Sequence, residues 1–417
     1  MVTTAPYADK AHVAETPEDR EKVLSGLPVF FRLAAGVASR IRYGALRFVL
    51  PDGRELLFSG AHEPDAQGTI LVRDFRFARR AVLGGDIGFF ESFADSEWDS
   101  PDVTSVLYVF ARNADYVADA FAMAPLIGFI ERIRHRLNKN TKGGSRRNIM
   151  AHYDLGNDFY EKWLDRTMTY SSARYDAGAG DLFAAQTNKY RTLAKAIDLK
   201  EGESVLEIGS GWGGFAEFAA KEVGAKVTGL TISPAQLEYA RARIAREGLN
   251  EKVEFKLLDY RDAEGAFDKI ASIEMFEAVG REYWPAYFSK IRELLKPGGA
   301  AGIQTITIAD RFFSTYSRSS DFIKRYVFPG GMLASPDVLK RETLRAGLVW
   351  QGASAFGQDY ARTLAEWRSR FFAAWDDIVQ MGFDERFRKL WQFYLSYCEA
   401  GFKAATTDVM QIRLARP

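Results

Sequence analysis

Apolar and polar positions alternate in short runs over the first part of the chain and in longer strand–helix units after it. ALRFVLPDGRELLFSG and GTILVRDFRFARRAVLG have a period near two, and Asp52-Gly53 between such runs is a hairpin signal. PEDREKVLSGLPVFFRLAAGVASRI, within 15–40, has the spacing of an amphipathic helix, and FAMAPLIGFIERIRHRL reads as a second. These elements predict a small α+β domain over residues 1–130. ERIRHRLNKNTKGGSRRNIM, 131–150, is a basic connector with a linker-like Lys142-Gly-Gly-Ser145. From about 200 the pattern changes. SVLEIGS is strand-like and WGGFAEFAAKEV helical; AKVTGLTI, PAQLEYARARIAREG, VEFKLLD, KIASIEM, a helix ending KIRELLKPGG and AAGIQTITI follow. Successive βα units predict a doubly wound parallel sheet, so the fold class is α/β over 151–417 with a smaller accessory domain before it. KPGG at 296–299 predicts a helix stop and a turn, and 361–405 reads as mostly helical.

Composition narrows the chemistry. The chain has 417 residues and a net charge of +1, so nothing in the overall balance calls for nucleic acid. A single cysteine, Cys398, excludes an internal disulfide and suits a reducing compartment. The first residues lack the apolar core of a secretory signal, and runs such as MAPLIGFI are too short to span a bilayer. The expectation is a cytoplasmic protein, soluble or peripheral on a membrane. Histidine occurs only at 12, 62, 135 and 152. A histidine-based triad in the C-terminal half is therefore excluded, and a metal cluster is not expected. Proton chemistry there must come from carboxylates, tyrosines or an added base. One carboxylate, Glu277 of EMFEAVG, lies just past the predicted strand KIASI, where open α/β sheets hold ligands.

VLEIGSGWGGFA places glycines at 209, 211, 213 and 214 between a strand and a helix. Such a loop lets a ligand lie against the backbone and the free N–H groups of a helix start. Gly209, Gly211 and Gly214 satisfy the dinucleotide pattern, which keeps a nicotinamide oxidoreductase open. The second strand ends VTGLTIS, with no acid to hold a ribose. Glu207, two residues before the loop, gives instead the E-x-G-x-G arrangement of class I S-adenosylmethionine (SAM) methyltransferases, and Asp259-Tyr260 suits an adenine end.

HYDLGNDFYEKWLDRTMTYSSARY at 152–175, followed in order by VLEIGSGWGGFA, GLTISPAQLEYA, LLDYRD, EMFEAVG and FGQDYARTLAEW, closely resembles the cyclopropane-fatty-acid synthase superfamily. The resemblance runs from about 148 to 405, and the region before it resembles the accessory domain of the full-length bacterial enzymes. It implies a class I SAM methyltransferase, with a Rossmann-like sheet, acting on a double bond of an acyl chain in membrane phospholipid. The work place it implies is a membrane, on its inner face. The basic connector reads either as a solvated tether or as a patch attracted to the headgroups of an anionic membrane surface, and a homodimer contact, for which the accessory domain is the candidate place, is left open. By motif, Tyr170, Ser171, Glu207, Gly209 and Gly211 flank SAM. Thr231, Ile232 and Gln236 match ribose and methionine contacts. Asp259, Tyr260 and Arg261 match the adenine neighbourhood, and Ile273 the sulfonium end. A bicarbonate serves the cyclopropane enzymes as base, and its holders match Ser172, Glu277, Gln304, Ile306 and Tyr360. Cys398 aligns with a cysteine sometimes given an active-site role, although no step needs a thiolate.

Methyl transfer to an alkene leaves a carbocation, which aromatic faces stabilise without trapping. Phe276, Phe356, Tyr360, Tyr170 and Tyr175 are the candidates; for any one of them the alternative is core packing. Arg174 is either a surface residue or the partner of a phosphate or carboxylate. Ring-forming relatives carry YSCAY, FEHVG and a histidine in the fifth strand. Here YSSARY, FEAVG and IQTITI stand in those places. Ser172 keeps a hydroxyl donor, and Gln304 replaces a residue expected to contribute its backbone. The combination resembles the branch that gives methylated or methylene-branched chains, with ring closure to a cyclopropane as the alternative.

Overall fold

The computed structural model describes residues 13–117, 155–176 and 178–417. The chain forms two compact units, Met1–Ile127 with Glu385–Ala400, and Gly128–Asp384 with Gly401–Pro417. The basic connector and FAMAPLIGFIERIRHRL lie outside the described residues. Among the described residues no helix is long and apolar enough to cross a membrane.

The first unit holds a five-stranded sheet, ordered β1-β3-β2-β4-β5. Its strands are β1 (Val13–Ala14), β2 (Tyr43–Val49), β3 (Glu55–Ser59), β4 (His62–Val72) and β5 (Trp98–Asp99). The hairpin at Asp52-Gly53 joins β2 to β3, with Gly53 at φ 86°. The expected single helix over 15–40 is instead two helices, Pro17–Leu24 and Val29–Ala38. SGLP separates them because proline disfavours helical backbone in the residue before it. Helix Val103–Arg112 starts at Asp102, whose carboxylate accepts from the amides of Thr104 and Ser105.

Residues 385–400 pack with this first unit, whereas the sequence placed all of 151–417 in one domain. The cause is visible in the side chains. Phe393 lies 5.3 Å from Phe90 and 5.9 Å from Phe93, ring centre to ring centre. Lys389 donates to the Phe93 carbonyl (3.0 Å) and to Ser96 Oγ (2.7 Å). Thr104 donates to Ser396 Oγ, and Tyr397 to Asp86.

The second unit is built on a seven-stranded sheet, ordered β11-β12-β10-β9-β6-β7-β8. Its strands are β6 (Ser204–Ile208), β7 (Lys226–Thr231), β8 (Val253–Leu257), β9 (Phe267–Ile273), β10 (Leu295–Ile308), β11 (Val349–Ala355) and β12 (Thr407–Ala415). Strands β10, β9, β6, β7 and β8 are mutually parallel; β12 runs antiparallel between β10 and β11. The chain moves outward from β6 to β7 and β8, then returns to β9 and β10 on the other side. The reversal of strand order lies between β6 and β9, and the crevice beyond their C-terminal ends is where such sheets bind ligands. KPGG does not stop the chain outside the sheet. It lies inside β10, as a register shift between Leu295 and Ala300, with Gly298 at φ 77°.

Candidate active site

The loop after β6 and the segment after β9 both open at this crevice. In the loop, Gly209, Gly211 and Gly213 all have positive φ, which glycine adopts without strain. A Cβ on Gly209 would come within 2.6 Å of the Met275 side chain, whereas one on Gly211 would meet nothing within 4 Å. The backbone at Gly211 is thus uncovered, as a cradle for a ligand must be. Glu207 is buried at the end of β6, with a backbone bond from Ala216 in the helix after the loop. Burial raises its carboxyl well above the usual range. After β7, Thr231 donates to Gln236 Oε1 (3.0 Å), and the Ser233 amide donates back to Thr231 Oγ1 (3.2 Å). Ile232 between them is half-buried. Asp259 is gripped by Arg261 through Nε (2.9 Å) and the terminal nitrogen (2.6 Å). Tyr260 stands edge-on to Tyr287, and Ile273 is half-buried at the end of β9. Of the residues expected around SAM, those from Glu207 to Ile273 therefore lie at the ends of β6, β7, β8 and β9 or in the loops just after them, whereas Tyr170 and Ser171 come from the segment before helix Leu182–Ala196.

The second half of the site centres on a carboxylate that the sequence reading passed over. Glu274 follows β9 with φ 48°, an unusual backbone for a residue with a side chain. Three donors converge on it. The Ser172 amide (2.8 Å) and Gln304 Nε2 (2.8 Å) reach Oε1, and the Tyr360 hydroxyl (2.7 Å) reaches Oε2. Sheet register explains the glutamine: Gln304 on β10 pairs with Ile273 on β9 and with Gln411 on β12. Gln411 Nε2 donates to Gln304 Oε1 (3.1 Å), which turns the Gln304 amide nitrogen toward Glu274.

Glu277 lies just past β9, at the strand end where it is expected, with its carboxylate held by Thr305 and Ile306 of β10. Its Oε1 accepts from the Thr305 hydroxyl (3.0 Å) and from the Ile306 amide, while Oε2 is buried without a hydrogen-bond partner. Burial and the charge of Glu274 push its carboxyl up to about 8. Glu274 is also raised by burial, but Lys189, Tyr360, Gln304 and Ser172 all oppose that shift. The two acids are thus separated in role by their surroundings: donors favour the ionised form at Glu274, and burial favours the neutral form at Glu277.

Other expectations are corrected by contacts. The Ser172 hydroxyl donates to the Ala173 carbonyl (2.9 Å), so this residue offers its amide rather than its side chain. Gln304 contributes its side chain, not its backbone. Phe276 belongs to the core, packed on Trp284, Tyr287 and Phe288. Tyr175 points its hydroxyl to Glu366. Phe356 lies under the Arg174 guanidinium, and Arg174 itself pairs with Asp176 (2.7 Å) and with Gln411. Cys398 is on the helical stretch assigned to the first unit, whereas Glu274, Ser172, Gln304 and Tyr360 belong to the second.

The aromatic residues that do gather are Tyr160, Trp163, Tyr170, Tyr360 and Trp367. Tyr170 lies 5.3 Å from both Tyr160 and Trp367 and 5.6 Å from Trp163; Tyr360 meets Trp367 edge-on at 6.1 Å. Trp163 and Trp367 sit in segments that carry the resemblance, yet their spacing alone does not distinguish them from core. Since Tyr360 gives Glu274 a charge-assisted bond, Tyr360→Phe is expected to lower turnover about 10- to 100-fold. Steady-state methyl transfer checks this, and a near-wild-type rate would leave only the ring in use.

A class I SAM methyltransferase is what this fold and this glycine loop define. Solved structures agree. The cyclopropane synthase MmaA2 from Mycobacterium tuberculosis matches with a TM-score of 0.61 and 26% identity, over 65% of this chain and 98% of that one. The mycolic acid cyclopropane synthase CmaA1, complexed with SAH and CTAB, matches with 0.61 and 27% over the same shares. Residues 140–412 match the mycolic acid cyclopropane synthetase family, and the chain belongs to that family. The tuberculostearic acid methyltransferase UfaA1 of M. tuberculosis is 38% identical over 89% of this chain and 88% of its own length. The cyclopropane-fatty-acyl-phospholipid synthase of Escherichia coli is 32% identical over 84% and 88%. The protein is a SAM-dependent methyltransferase with a lipid substrate, which sets the nicotinamide alternative aside.

Proposed function

We propose that this enzyme methylates a double bond in an acyl chain of membrane phospholipid and that Glu274 takes up the proton released afterwards. The carrying observation is the convergence of Ser172 N–H, Gln304 Nε2 and Tyr360 O–H on one carboxylate beside the SAM loop. SAM, when bound, supplies the methyl group. Tyr170, Ser171, Glu207, the Gly209–Gly211 loop, Thr231, Ile232, Gln236, Asp259, Tyr260, Arg261 and Ile273 are assigned to hold it.

The alkene's electron pair forms the new carbon–carbon bond to the methyl as the methyl–sulfur bond breaks, leaving a cation on the neighbouring carbon. Tyr170, Trp367 and Tyr360, which gather into one aromatic cluster, are assigned to stabilise that cation, at up to ~2 kcal/mol for a dry contact. A carbon–hydrogen bond then gives its electron pair to the cation, and the proton passes to a Glu274 carboxylate oxygen. Proton loss from a carbon next to the cation gives a methyl-branched alkene. Where a hydride first moves with its electron pair from the methylated carbon to the cation, proton loss from the new methyl gives a methylene branch. Direct loss from the methyl, with its pair joining the cation, closes the ring.

Bicarbonate does not fit this site. Its expected donors are spent on the protein's own acids: Ser172, Gln304 and Tyr360 on Glu274, and Ile306 on Glu277. No step is routed through it, and turnover is expected to be the same in buffer stripped of carbon dioxide as in buffer with added bicarbonate. The substrate chain lies in a bilayer, so the enzyme must work at its surface; we place it on the cytoplasmic face. Labelled SAM with vesicles of defined unsaturated phospholipid, followed by mass spectrometry, tests the whole reading. Label in a methylated or methylene chain is expected. Ring-containing product would return the enzyme to the cyclopropane-forming alternative, and absence of label with every unsaturated lipid would sink the proposal.

A further inference from the structure

Helix Leu182–Ala196 presents a lysine to the interior of the second unit. Lys189 is 0% exposed, and among the described residues its ammonium makes one hydrogen bond, to Ser171 Oγ at 2.6 Å. The nitrogen also stands 4.7 Å over the Tyr190 ring. Leaving two N–H groups unbonded in a dry interior costs several kcal/mol, a cost that a methionine of similar length avoids. A purely space-filling role therefore does not account for this residue.

Its neighbours give it one. Ser171, which Lys189 holds, is followed by Ser172, whose amide bonds Glu274, and preceded by Tyr170 of the aromatic cluster. Gln186, three residues earlier on the same helix, donates to the Ser171 carbonyl (3.0 Å), so this helix holds the segment at two points. The Lys189 carbonyl accepts from Gln411 Nε2, which also bonds Gln304, the second donor to Glu274. Lys189 thus touches both supports of the proposed base without touching the base.

We propose that Lys189 is a positioning residue for methyl transfer, fixing the Tyr170–Ser172 segment through Ser171 and supplying the buried positive charge that faces the Glu274 carboxylate. This rests on the assignment of Glu274 as proton acceptor. The charged groups around the pair are few. Burial pulls the Lys189 ammonium down to about 7, and the facing carboxylates of Glu274, Asp165 and Glu207 oppose that fall. Glu274 faces Lys189 and the donors Tyr360, Gln304 and Ser172, with Glu277 as the like charge beside it. Glu207 also faces Arg243, and Asp165 also faces Arg370, but Lys189 is the cation that faces Glu274, so its loss leaves Glu274 with neutral donors.

The experiment follows label transfer to unsaturated phospholipid vesicles across pH for wild type, Lys189→Met, Ser171→Ala and Glu274→Gln. In Lys189→Met the acid limb of the kcat/KM profile is expected to move up by about one pH unit. Ser171→Ala loses the anchor but keeps the charge, so its rate falls while the limb stays. An unmoved limb in Lys189→Met, with Glu274→Gln inactive, overturns the role of Lys189 and leaves the base assignment standing. An active Glu274→Gln overturns the base assignment first, and this inference with it. A second measurement needs no lysine variant. The titration of Lys189, followed by NMR with carbon-labelled lysine, is expected at lower pH in Glu274→Gln than in wild type, because the facing negative charge is gone. An identical titration in both proteins overturns the coupling.

Discussion

Replacing Glu274 by glutamine is expected to cut turnover about 1,000-fold while SAM affinity stays within about threefold. Glutamine keeps the shape and one acceptor oxygen, so Ser172 or Tyr360 retains a partner. What disappears is the capacity to take a proton. Its new amide group also points donors at the Gln304 amide or the Tyr360 hydroxyl, which loosens the cluster further. The SAM side is assigned to other residues, among them those on the loops after β6, β7 and β8, which is why the two measurements should part. Single-turnover methyl transfer and isothermal titration with SAM check the pair. A variant that turns over near the wild-type rate removes Glu274 from the chemistry. A variant that loses SAM binding as well shows that Glu274 shapes the donor's pocket instead.

The sequence made the frame of this site legible and left its centre out. The βα rhythm from 200 onward has a strong period, so the parallel strands and the switch-point loop could be read directly. The motif EMFEAVG also directed attention to the right strand end, but to Glu277. Choosing between Glu274 and Glu277 depends on which one faces Gln304, and that follows from the register of β9 on β10. Register is set across the sheet and leaves no local mark in either strand. Lys189 escaped for a related reason: in a helix pattern a lysine reads as solvent-facing, and only the packed neighbours show it buried. Strands β11 and β12 were missed because they are an antiparallel addition, far apart in sequence and separated by helices. The helix from Glu385 is apolar and aromatic enough to belong to either unit, and its place with the first comes from long-range contacts such as Phe393 with Phe90.

Glu277→Gln is expected to raise stability increasingly as pH rises. In the native protein this carboxyl keeps its proton up to about 8, whereas an unfolded chain releases it near the ordinary glutamate value of 4.5. Between those values the native state binds the extra proton, so raising pH favours unfolding through this group. The slope is on the order of 1.4 kcal/mol per pH unit where the two states differ by one proton. Glutamine removes the titration and keeps an oxygen for Thr305 and the Ile306 amide, the two bonds Glu277 makes. Other buried acids, such as Glu207 and Asp165, shift in the same direction, but they are common to both proteins and drop out of the difference. Thermal melts across pH should therefore coincide near pH 4.5 and separate by several degrees by about pH 8, with the variant higher. Parallel melting curves would mean that Glu277 is already ionised in the folded protein. The buried, unpartnered Oε2 would then carry a charge beside Glu274, and the division of the two acids into one neutral and one basic group would fail.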